Sequence, residues 1–482
     1  MTTIEFKKEA NLIGGVWTKA DSGKTIAVTD PATGAAIGTV PNSGKVETKR
    51  AIEAAHAAFP AWRKKTAAER AALLGKLADL IRTHTEALAN LLTLEQGKPL
   101  AEARGEVGGS AAYVQWFAEE ARRAYGDVIP SPWGDRRILV TKEPVGVVGA
   151  ITPWNFPSSM IARKLGAALA AGCTIVIKPA DLTPYSGLAW GVLCDMAGIP
   201  AGVVNILTGD APEIGGELTA NPLVRKITFT GSTPVGKLLA TQSAATMKRI
   251  SMELGGNAPF IVFDDADIDR AVAGAMMAKY RNAGQTCVCT NRFYVQAGVY
   301  DAFAAKLAAE VAKVKVGNGF EAGVQIGPLI DARAMTKVES HLADAVSKGA
   351  EVITGGQRHA LGGNFFQPTV MKGVTQAMNV ATEETFGPLA PLFRFETEEE
   401  VIAMANATEY GLAAYFYSRD LARTFRVTEA LKYGMVGVNE GLITTEVAPF
   451  GGVKESGVGR EGSHYGLDDY LDMKYVCIGG LS

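Results

Sequence analysis

Two segments of this 482-residue chain carry side chains that could work together in carbonyl chemistry. The segment 282–289 reads NAGQTCVC and contains Cys287, and the segment 252–259 reads MELGGNAP and contains Glu253. A thiolate attacks carbonyl carbons and a carboxylate activates water, so the pair could form and then hydrolyse a covalent intermediate. Glycines beside both groups would let another molecule approach the backbone.

Both groups also have a structural interpretation. A lone cysteine is more often a small buried apolar residue than a nucleophile, and a glutamate between apolar residues could be salt-bridged. The polar, glycine-containing surroundings of Cys287 favour a nucleophile. Because a nucleophilic cysteine would need a base, the presence of Cys287 favours Glu253 as a base with a raised pKa. Cys289 would point to the opposite side in an extended segment, which suggests a supporting role. Neither cysteine belongs to a C-x-x-C pair, so no metal is expected.

Composition indicates a soluble globular protein with 47% apolar residues, 20% charged residues and a formal net charge of −2. This balance gives no reason to expect nucleic acid or a membrane as a partner. Five dispersed cysteines favour a reducing compartment, and no export signal or bilayer-spanning run is visible, so we expect a cytoplasmic protein. The length predicts two or three domains.

The chain changes its pattern near residue 144. Residues 45–95 predict helices, with Thr66 and Glu69 forming a capping box. From 144 onward, short apolar strands alternate with helical stretches, which is typical of βαβ units on a parallel sheet, and a second α/β domain is expected to begin near 256. The segment 126–144 and the tail 472–478 fit neither domain. The tail predicts an exposed strand that pairs with something, and another subunit is a good candidate.

Three further segments end predicted strands, where open α/β sheets bind ligands. Asn155 follows one strand and could cap a helix or donate from its amide to an oxyanion. The segment 229–232 runs into a predicted helix start, where backbone amides could hold a pyrophosphate. Lys178 and Asp181 suit a ribose and its 2′ position, with a surface ion pair as the alternative.

Six motifs in this order resemble the aldehyde dehydrogenase superfamily: PWNFP at 153–157, KPAD at 178–181, FTGS at 229–232, ELGG at 253–256, GQTC at 284–287 and EETFGP at 383–388. The resemblance covers essentially the whole chain. Within the superfamily the chain is most similar to succinate-semialdehyde dehydrogenases, through the stretches ITPWNFPSSMIARK, KYRNAGQTCVCTNRFYVQ and EVAPFGGVKESGVGREG.

The resemblance implies an α/β fold in three parts. A Rossmann-like cofactor domain would comprise 1–125 and 145–255, and a catalytic α/β domain would comprise 256–455. A small bridging element would comprise 126–144 and 456–482, and in this superfamily it commonly joins subunits into homodimers or homotetramers.

The same resemblance implies a role for each motif. Cys287 would attack the aldehyde as a thiolate, Asn155 and the Cys287 backbone N–H would stabilise the oxyanion, and Glu253 would activate water to hydrolyse the thioester. The cofactor would be NAD, with NADP as the alternative and no metal. Lys178 and Asp181 would contact the adenosine ribose, Ser232 the pyrophosphate, and Glu384 the nicotinamide ribose beside Phe386. The other cofactor contacts expected are Thr152, Pro153, Trp154, Ala180, Gly231 and Leu254.

The implied substrate is a small semialdehyde. Arg163 and Arg281 match arginines that hold the distal carboxylate of such substrates, with Thr444 offering a hydroxyl. The implied reaction is NAD(P)-dependent oxidation of succinate semialdehyde to succinate, and glutarate semialdehyde or a broader aldehyde range is the alternative. A thioester-type hydrolase or acyltransferase could use the same cysteine, asparagine and glutamate without nicotinamide.

Three details of the sequence sharpen these expectations. Asp181 stands where NADP-preferring bacterial semialdehyde enzymes often carry serine, so NAD is the expected preference. The spacing of Cys287 and Cys289 would permit a strained, reversible disulfide, as in some close relatives, making Cys289 a redox candidate. Glu461 is implied to assist proton relay.

Overall fold

The computed structural model of the protein describes residues 2–481. Its helices are α1 (Thr3–Phe6), α2 (Lys45–Lys64), α3 (Ala67–Thr83), α4 (Thr85–Gln96), α5 (Leu100–Glu120), α6 (Ser159–Ala171), α7 (Pro184–Ala197), α8 (Ala211–Ala220), α9 (Thr233–Ala244), α10 (Ile268–Tyr280), α11 (Tyr300–Val311), α12 (Ala332–Ser347), α13 (Asn379–Thr382), α14 (Glu398–Asn406), α15 (Leu421–Ala430) and α16 (Tyr465–Asp468). Its strands are β1 (Asn11–Ile13), β2 (Val16–Thr18), β3 (Thr25–Thr29), β4 (Ala36–Pro41), β5 (Asp127–Ile129), β6 (Arg137–Pro144), β7 (Val147–Ile151), β8 (Thr174–Lys178), β9 (Val204–Ile206), β10 (Val224–Thr230), β11 (Arg249–Glu253), β12 (Ala258–Val262), β13 (Thr290–Gln296), β14 (Glu351–Thr354), β15 (Thr369–Lys372), β16 (Leu389–Phe395), β17 (Ala413–Tyr417), β18 (Met435–Val438), β19 (Gly457–Val458) and β20 (Leu471–Ile478).

The first sheet has eight strands in the order β19-β11-β10-β7-β8-β9-β1-β2. Its five central strands, β11 to β9 in that order, are parallel, whereas β1, β2 and β19 run antiparallel to their neighbours. Strand β8 is buried along its whole length and β7 along nearly all of it, as expected for parallel strands with both faces covered. The βαβ pattern predicted from residue 144 onward is confirmed.

The second sheet has seven strands in the order β14-β15-β16-β13-β12-β17-β18. All neighbours in it are parallel except β14, which is antiparallel to β15. Its core is continuous and rich in aromatic residues, with the ring of Phe260 stacked on that of Tyr417 at 5.0 Å. A second α/β layer therefore follows the first along the chain, as the alternation of strands and helices predicts.

A separate three-stranded antiparallel sheet has the order β20-β6-β5. The tail strand β20 pairs with β6 from Leu471 opposite Pro144 to Ile478 opposite Arg137. The partner of the predicted tail strand thus lies in the same chain. The short strand β19, which precedes the tail, pairs instead with β11 of the first sheet.

The helices of the amino-terminal part begin where the sequence predicts. The Thr66 hydroxyl accepts the Glu69 N–H at 3.2 Å, and the Glu69 carboxylate accepts the Thr66 N–H at 2.7 Å, so the predicted capping box is confirmed. Among residues 2–481 no helix has both the length and the apolar character needed to cross a membrane.

Candidate active site

Cys287 lies where two cavities meet. The arginine cavity, of about 330 Å³, is lined among others by Tyr113, Phe156, Arg163, Arg281, Thr444 and Phe450. The glycine cavity, of about 260 Å³, is lined among others by Pro153, Trp154, Asn155, Gly231, Ser232, Leu254, Glu384 and Phe386. Cys287 and Met160 line both cavities. A molecule in one cavity and a molecule in the other would therefore both reach the thiol.

The loop that carries Cys287 has an unusual backbone. Asn282 and Ala283 have φ values of 52° and 57°, and Gly284 follows with a φ of 76°. A Cβ at Gly284 would collide with the carbonyl oxygen of Gly387, and a Cβ at Gly256 would collide with that of Cys287. Positive φ and close backbone approach are conditions that glycine meets without strain. The glycines of the ELGG and GQTC segments therefore accommodate this chain's own backbone beside the thiol.

Asn155 follows β7 and points its amide toward the thiol loop. The Asn155 Nδ2 donates to the Gln285 backbone carbonyl at 3.1 Å. The backbone carbonyl of Asn155 accepts a hydrogen bond from the Asn282 side-chain amide at 3.0 Å. The side chain of Asn155 is buried and also lines the glycine cavity. An NH₂ group has two donors, so one remains for an oxygen at the thiol.

Glu253 ends β11 and is 3% exposed. Neither of its carboxylate oxygens has a hydrogen-bond partner among residues 2–481, and it lines neither cavity. Burial and the nearby Glu461 carboxylate raise its pKa well above the ordinary value, against the opposing charges of Lys164 and Arg163. A buried carboxylate without fixed partners is suited to accept a proton from water.

Glu461 belongs to the same buried group of charges. It accepts a short contact from the Lys164 ammonium, and its other oxygen lies 3.6 Å from Nη1 of Arg163. Lys164 also donates to the Thr230 hydroxyl at 2.6 Å. This arrangement links the segment after β19 to α6 and to the end of β10.

The thiol of Cys287 is held mainly in its protonated form by its surroundings. Desolvation raises the pKa of Cys287 to about 12, while the positive charge of Arg163 acts in the opposite direction. A cation brought close to the sulfur would favour the thiolate.

Arg163 is a buried side chain of the arginine cavity that packs between two aromatic rings. It is 4% exposed, and its guanidinium lies between the rings of Tyr113 and Phe450, at 4.7 and 4.4 Å from their centroids. The Tyr113 hydroxyl is itself anchored by donation to the Thr445 carbonyl at 3.0 Å. Nε and Nη1 of Arg163 have no hydrogen-bond partner in the described part of the chain. Buried donors without partners are rare, so this guanidinium is prepared for an acceptor.

Arg281 and Thr444 line the same cavity. Arg281 follows α10, and its guanidinium lies 5.3 Å from the centroid of Phe156. The three residues predicted to hold a distal carboxylate are thus brought together on the arginine side of Cys287.

The glycine cavity contains a second group of predicted residues. The rings of Trp154 and Phe386 meet edge to face at 5.5 Å, and Phe386 has a φ of 55°. The Glu384 carboxylate accepts the Gly256 N–H at 3.0 Å, and desolvation raises its pKa to about 7. Ser232 is the N-cap residue of α9 but its side chain makes no capping bond, so the first-turn N–H groups, which Pro234 lacks, are left uncapped for an anion.

Four of the expected cofactor residues line neither cavity: Thr152, Lys178, Ala180 and Asp181. Lys178, at the end of β8, donates to the Asp181 carboxylate at 2.6 Å. The Lys178 side chain is buried, whereas that of Asp181 is 34% exposed. Thr152 is buried, with no partner for its hydroxyl among residues 2–481.

Cys289 is buried and lines neither cavity. Its sulfur accepts from the buried Lys279 ammonium at 3.4 Å. Both Cys287 and Cys289 are free thiols in this structure. The disulfide between them stays a prediction.

Several lining residues have no signal in the sequence that singles them out. Lys337, on α12, lines the glycine cavity near Glu384, and Met160 lines both cavities. Tyr113, on α5, and Phe450 enclose Arg163 from segments 337 residues apart. Only their spatial meeting reveals them. Residues 2–481 contain no group of three or more histidine, cysteine or acidic residues arranged to hold a metal ion.

Comparison with known proteins agrees with this architecture. Residues 17–476 match the Aldehyde dehydrogenase family. The chain is 62% identical to the glutarate-semialdehyde dehydrogenase of Pseudomonas aeruginosa, covering 99% of this chain and 98% of that protein. It is 60% identical to GabD of Escherichia coli, named as an NADP(+) succinate-semialdehyde dehydrogenase, with 98% of each chain covered. A crystal structure of succinate-semialdehyde dehydrogenase from Burkholderia pseudomallei superposes with a TM-score of 0.98 at 61% identity, covering 98% of each chain. The chain belongs to the aldehyde dehydrogenase family.

Proposed function

We propose that this enzyme oxidises succinate semialdehyde to succinate with NAD(P)⁺, through a thiohemiacetal and a thioester on Cys287. The observation that carries the proposal is Arg163, a buried guanidinium in the cavity that includes the thiol, whose Nε and Nη1 make no hydrogen bond among residues 2–481. A guanidinium binds a carboxylate through two parallel hydrogen bonds and stays charged at any working pH. An aldehyde whose distal carboxylate is held there would present its carbonyl to Cys287.

In the proposed reaction the Cys287 thiol first gives its proton to water, a loss that the positive charge of Arg163 favours, and the thiolate then attacks the aldehyde carbon. The oxyanion receives one hydrogen bond from Asn155 Nδ2 and one from the Cys287 backbone N–H. When bound, NAD(P)⁺ supplies the hydride acceptor that turns the thiohemiacetal into a thioester. Glu253 then removes a proton from water, the hydroxide attacks the thioester carbon, and the carboxylate leaves as the Cys287 thiolate is restored.

Aldehyde dehydrogenases use NAD(P)⁺, and the glycine cavity fits that cofactor. Its free first-turn amides at α9 suit a pyrophosphate, and Glu384 offers a carboxylate to ribose hydroxyls. Trp154 and Phe386 supply apolar surface near Cys287 for a nicotinamide. We propose Pro153, Gly231, Ser232 and Leu254 as further contacts, with Thr152, Lys178, Ala180 and Asp181 serving the adenosine end.

Replacing Arg163 with alanine tests the substrate assignment. We expect the activation free energy derived from kcat/KM for succinate semialdehyde to rise by about 2–5 kcal/mol. This is the range for leaving one member of a desolvated charge pair unpartnered. Propanal, which has no carboxylate, should lose far less. The measurement is kcat/KM for both aldehydes from the absorbance of the reduced cofactor.

Arg163→Lys is the matched control, because it keeps a positive charge but lacks the planar fork. Glu461 retains Lys164 in both variants, so the buried acid keeps a partner. An equal loss for both aldehydes would mean that Arg163 acts through the fold or through its charge on Cys287 and Glu253, and that the carboxylate binds elsewhere. The same panel should include glutarate semialdehyde, because a relative that is 62% identical is named for it and one methylene is worth only about 1–3 kcal/mol. A higher kcat/KM for glutarate semialdehyde would replace the proposed substrate.

The cofactor preference depends on Asp181 in our proposal. A carboxylate accepts from ribose hydroxyls but repels a 2′-phosphate, so we expect NAD⁺ to be preferred and NADP⁺ to be usable. Asp181→Ser should raise the efficiency with NADP⁺ relative to NAD⁺ by about tenfold, because it removes that charge and frees the Lys178 ammonium.

The measurement for Asp181→Ser is kcat/KM for each cofactor at saturating aldehyde, in the variant and in the wild type. The KM for the aldehyde serves as the internal control and should not change. A strong wild-type preference for NADP⁺ would mean that Lys178 and its loop outweigh Asp181.

We further propose a cytoplasmic homodimer or homotetramer with the three-part domain division given above. The open edge and faces of the β20-β6-β5 sheet carry exposed apolar side chains, among them Val128, Met473 and Tyr475. Exposed strand edges and apolar patches favour association with another copy. All five cysteines are free, which fits a reducing compartment.

A further inference from the structure

Lys98 is a buried lysine that lies in the link between α4 and α5. Its side chain is fully shielded from solvent, and its ammonium donates to Glu106 at 2.6 Å and to the Asn155 carbonyl at 2.7 Å. Burying an ammonium is costly unless it is paired and hydrogen-bonded, so a chain that keeps one here gains something specific from it. Lys98 lines neither cavity and therefore touches neither substrate nor cofactor directly.

Glu106, on α5, anchors the other end of the same segment. One carboxylate oxygen accepts Lys98, and the other accepts the N–H groups of Ser158 and Ser159 at 2.9 and 3.1 Å. Lys98 and Glu106 thus form hydrogen bonds to the backbone on both sides of Phe156 and Pro157. These hydrogen bonds fix the segment that follows β7 and the first residues of α6 relative to each other.

The ring of Phe156 makes further contacts with the same region. The Lys98 ammonium lies 3.8 Å from its centroid and the Arg281 guanidinium lies 5.3 Å from it. Cations over an aromatic ring attract its electron-rich faces, more strongly when desolvated. The residue next to Asn155 is therefore fixed by its side chain as well as by its neighbours' backbone.

The thiol loop meets the same point. Asn282 donates from its side chain to the Asn155 carbonyl at 3.0 Å, the same oxygen that accepts Lys98. Gln96 donates to Asn282 Oδ1 at 3.0 Å and accepts the Lys98 N–H at 2.9 Å. One carbonyl thus joins the segment of Asn155 to the left-handed start of the Cys287 loop.

We propose that Lys98 is a positioning residue that aligns Asn155 with the backbone N–H of Cys287, so that both donors reach one oxyanion. The proposal rests on the proposed function, in which those two groups stabilise the intermediate. Donors stabilise an oxyanion only when they are already aimed at its position, so a displacement of Asn155 costs rate without removing any reacting group.

The test is a double-mutant cycle between Lys98→Met and Asn155→Ala. The readout is acylation of Cys287 by p-nitrophenyl acetate without cofactor, followed as release of p-nitrophenolate when the thiolate displaces it from the ester carbon. We expect Asn155→Ala to slow acylation by about 10²–10³-fold. Lys98→Met should slow it by about 10–100-fold in the wild-type background, yet by less than about twofold once Asn155 is alanine.

Lys226→Met is the matched control. Lys226 is also a fully buried lysine, in β10, and its ammonium contacts the Ser251 hydroxyl. The Lys226→Met substitution should lower the melting temperature about as much as Lys98→Met does, while acylation stays within about twofold of the wild-type rate. Slowing of acylation by Lys226→Met as large as that by Lys98→Met would overturn the proposal, because loss of any buried lysine would then suffice.

Glu106→Gln provides a second variant if Lys98→Met does not fold. It keeps an acceptor for Ser158 and Ser159 but weakens the hold on Lys98, so acylation should slow only while Asn155 is present. If either variant slows acylation by the same factor in both backgrounds, the effect does not pass through Asn155 and the inference is wrong. If Asn155→Ala itself acylates at the wild-type rate, the oxyanion role in the proposed function fails, and the inference fails with it.

Discussion

Cys287→Ala is expected to abolish aldehyde oxidation, with a loss of at least about 10⁴-fold in kcat/KM, because no other thiol among residues 2–481 lines either cavity. The measurement is the absorbance of the reduced cofactor after aldehyde is added. Cofactor binding should persist, since the residues of the glycine cavity stay in place.

Cys289→Ala is the control for that loss. Cys289 lies two residues away but contacts Lys279 in the interior, so its replacement should leave most of the activity. Full turnover in Cys287→Ala would refute the covalent mechanism. Acyl transfer by the wild-type enzyme without any reduction of cofactor by aldehydes would favour the hydrolase or acyltransferase alternative.

Glu253→Gln is expected to separate the two halves of the reaction. One equivalent of reduced cofactor per site should form in a burst, because acylation uses the thiol, its oxyanion donors and the cofactor as hydride acceptor, but no base that activates water. Steady-state turnover should then fall by about 10²–10⁴-fold, because the amide cannot take a proton from water. Rapid-mixing absorbance measures both phases in one experiment.

The wild-type enzyme should reproduce part of this behaviour as the pH falls. Burial and Glu461 raise the pKa of Glu253, so its base form is present above that pKa and is lost as the pH drops through it. Turnover should therefore decline on the acid side while the burst amplitude persists. A burst and a steady state that decline together in Glu253→Gln would show that Glu253 acts before the thioester forms.

Burial raises the pKa of Glu253 most, and the neighbouring charges then shift it further in either direction. The Glu461 carboxylate raises the pKa of Glu253, and the Lys164 and Arg163 charges lower it. Because Arg163 also favours the thiolate of Cys287, one arginine influences both reacting groups in addition to its proposed contact with the substrate. The nucleophile Cys287, the base Glu253 and the proposed substrate contact Arg163 thus influence one another through their charges.

The sequence by itself determined the elements and the motifs. Apolar runs such as that of β8 and the capping box at Thr66 depend on neighbours a few residues away, so their pattern is visible along the chain. The placement of Asn155 and Lys178 at strand ends followed from the same reasoning, because parallel strands end at one edge of a sheet, whereas β11 and the place of Glu253 at its end were not predicted. The family resemblance was carried by these short motifs and is confirmed across the chain.

Only the tertiary structure decided how the motifs meet. In the sequence, the glycines near Glu253 predict that another molecule approaches the backbone, yet in the fold Gly256 makes room for the carbonyl of Cys287. Tyr113 and Phe450 enclose Arg163, and Lys98 reaches Asn155, although no pattern along the chain predicts these contacts. Packing and buried hydrogen bonds join residues far apart in the chain, and their energies depend on distance and orientation in space, which a local pattern does not encode.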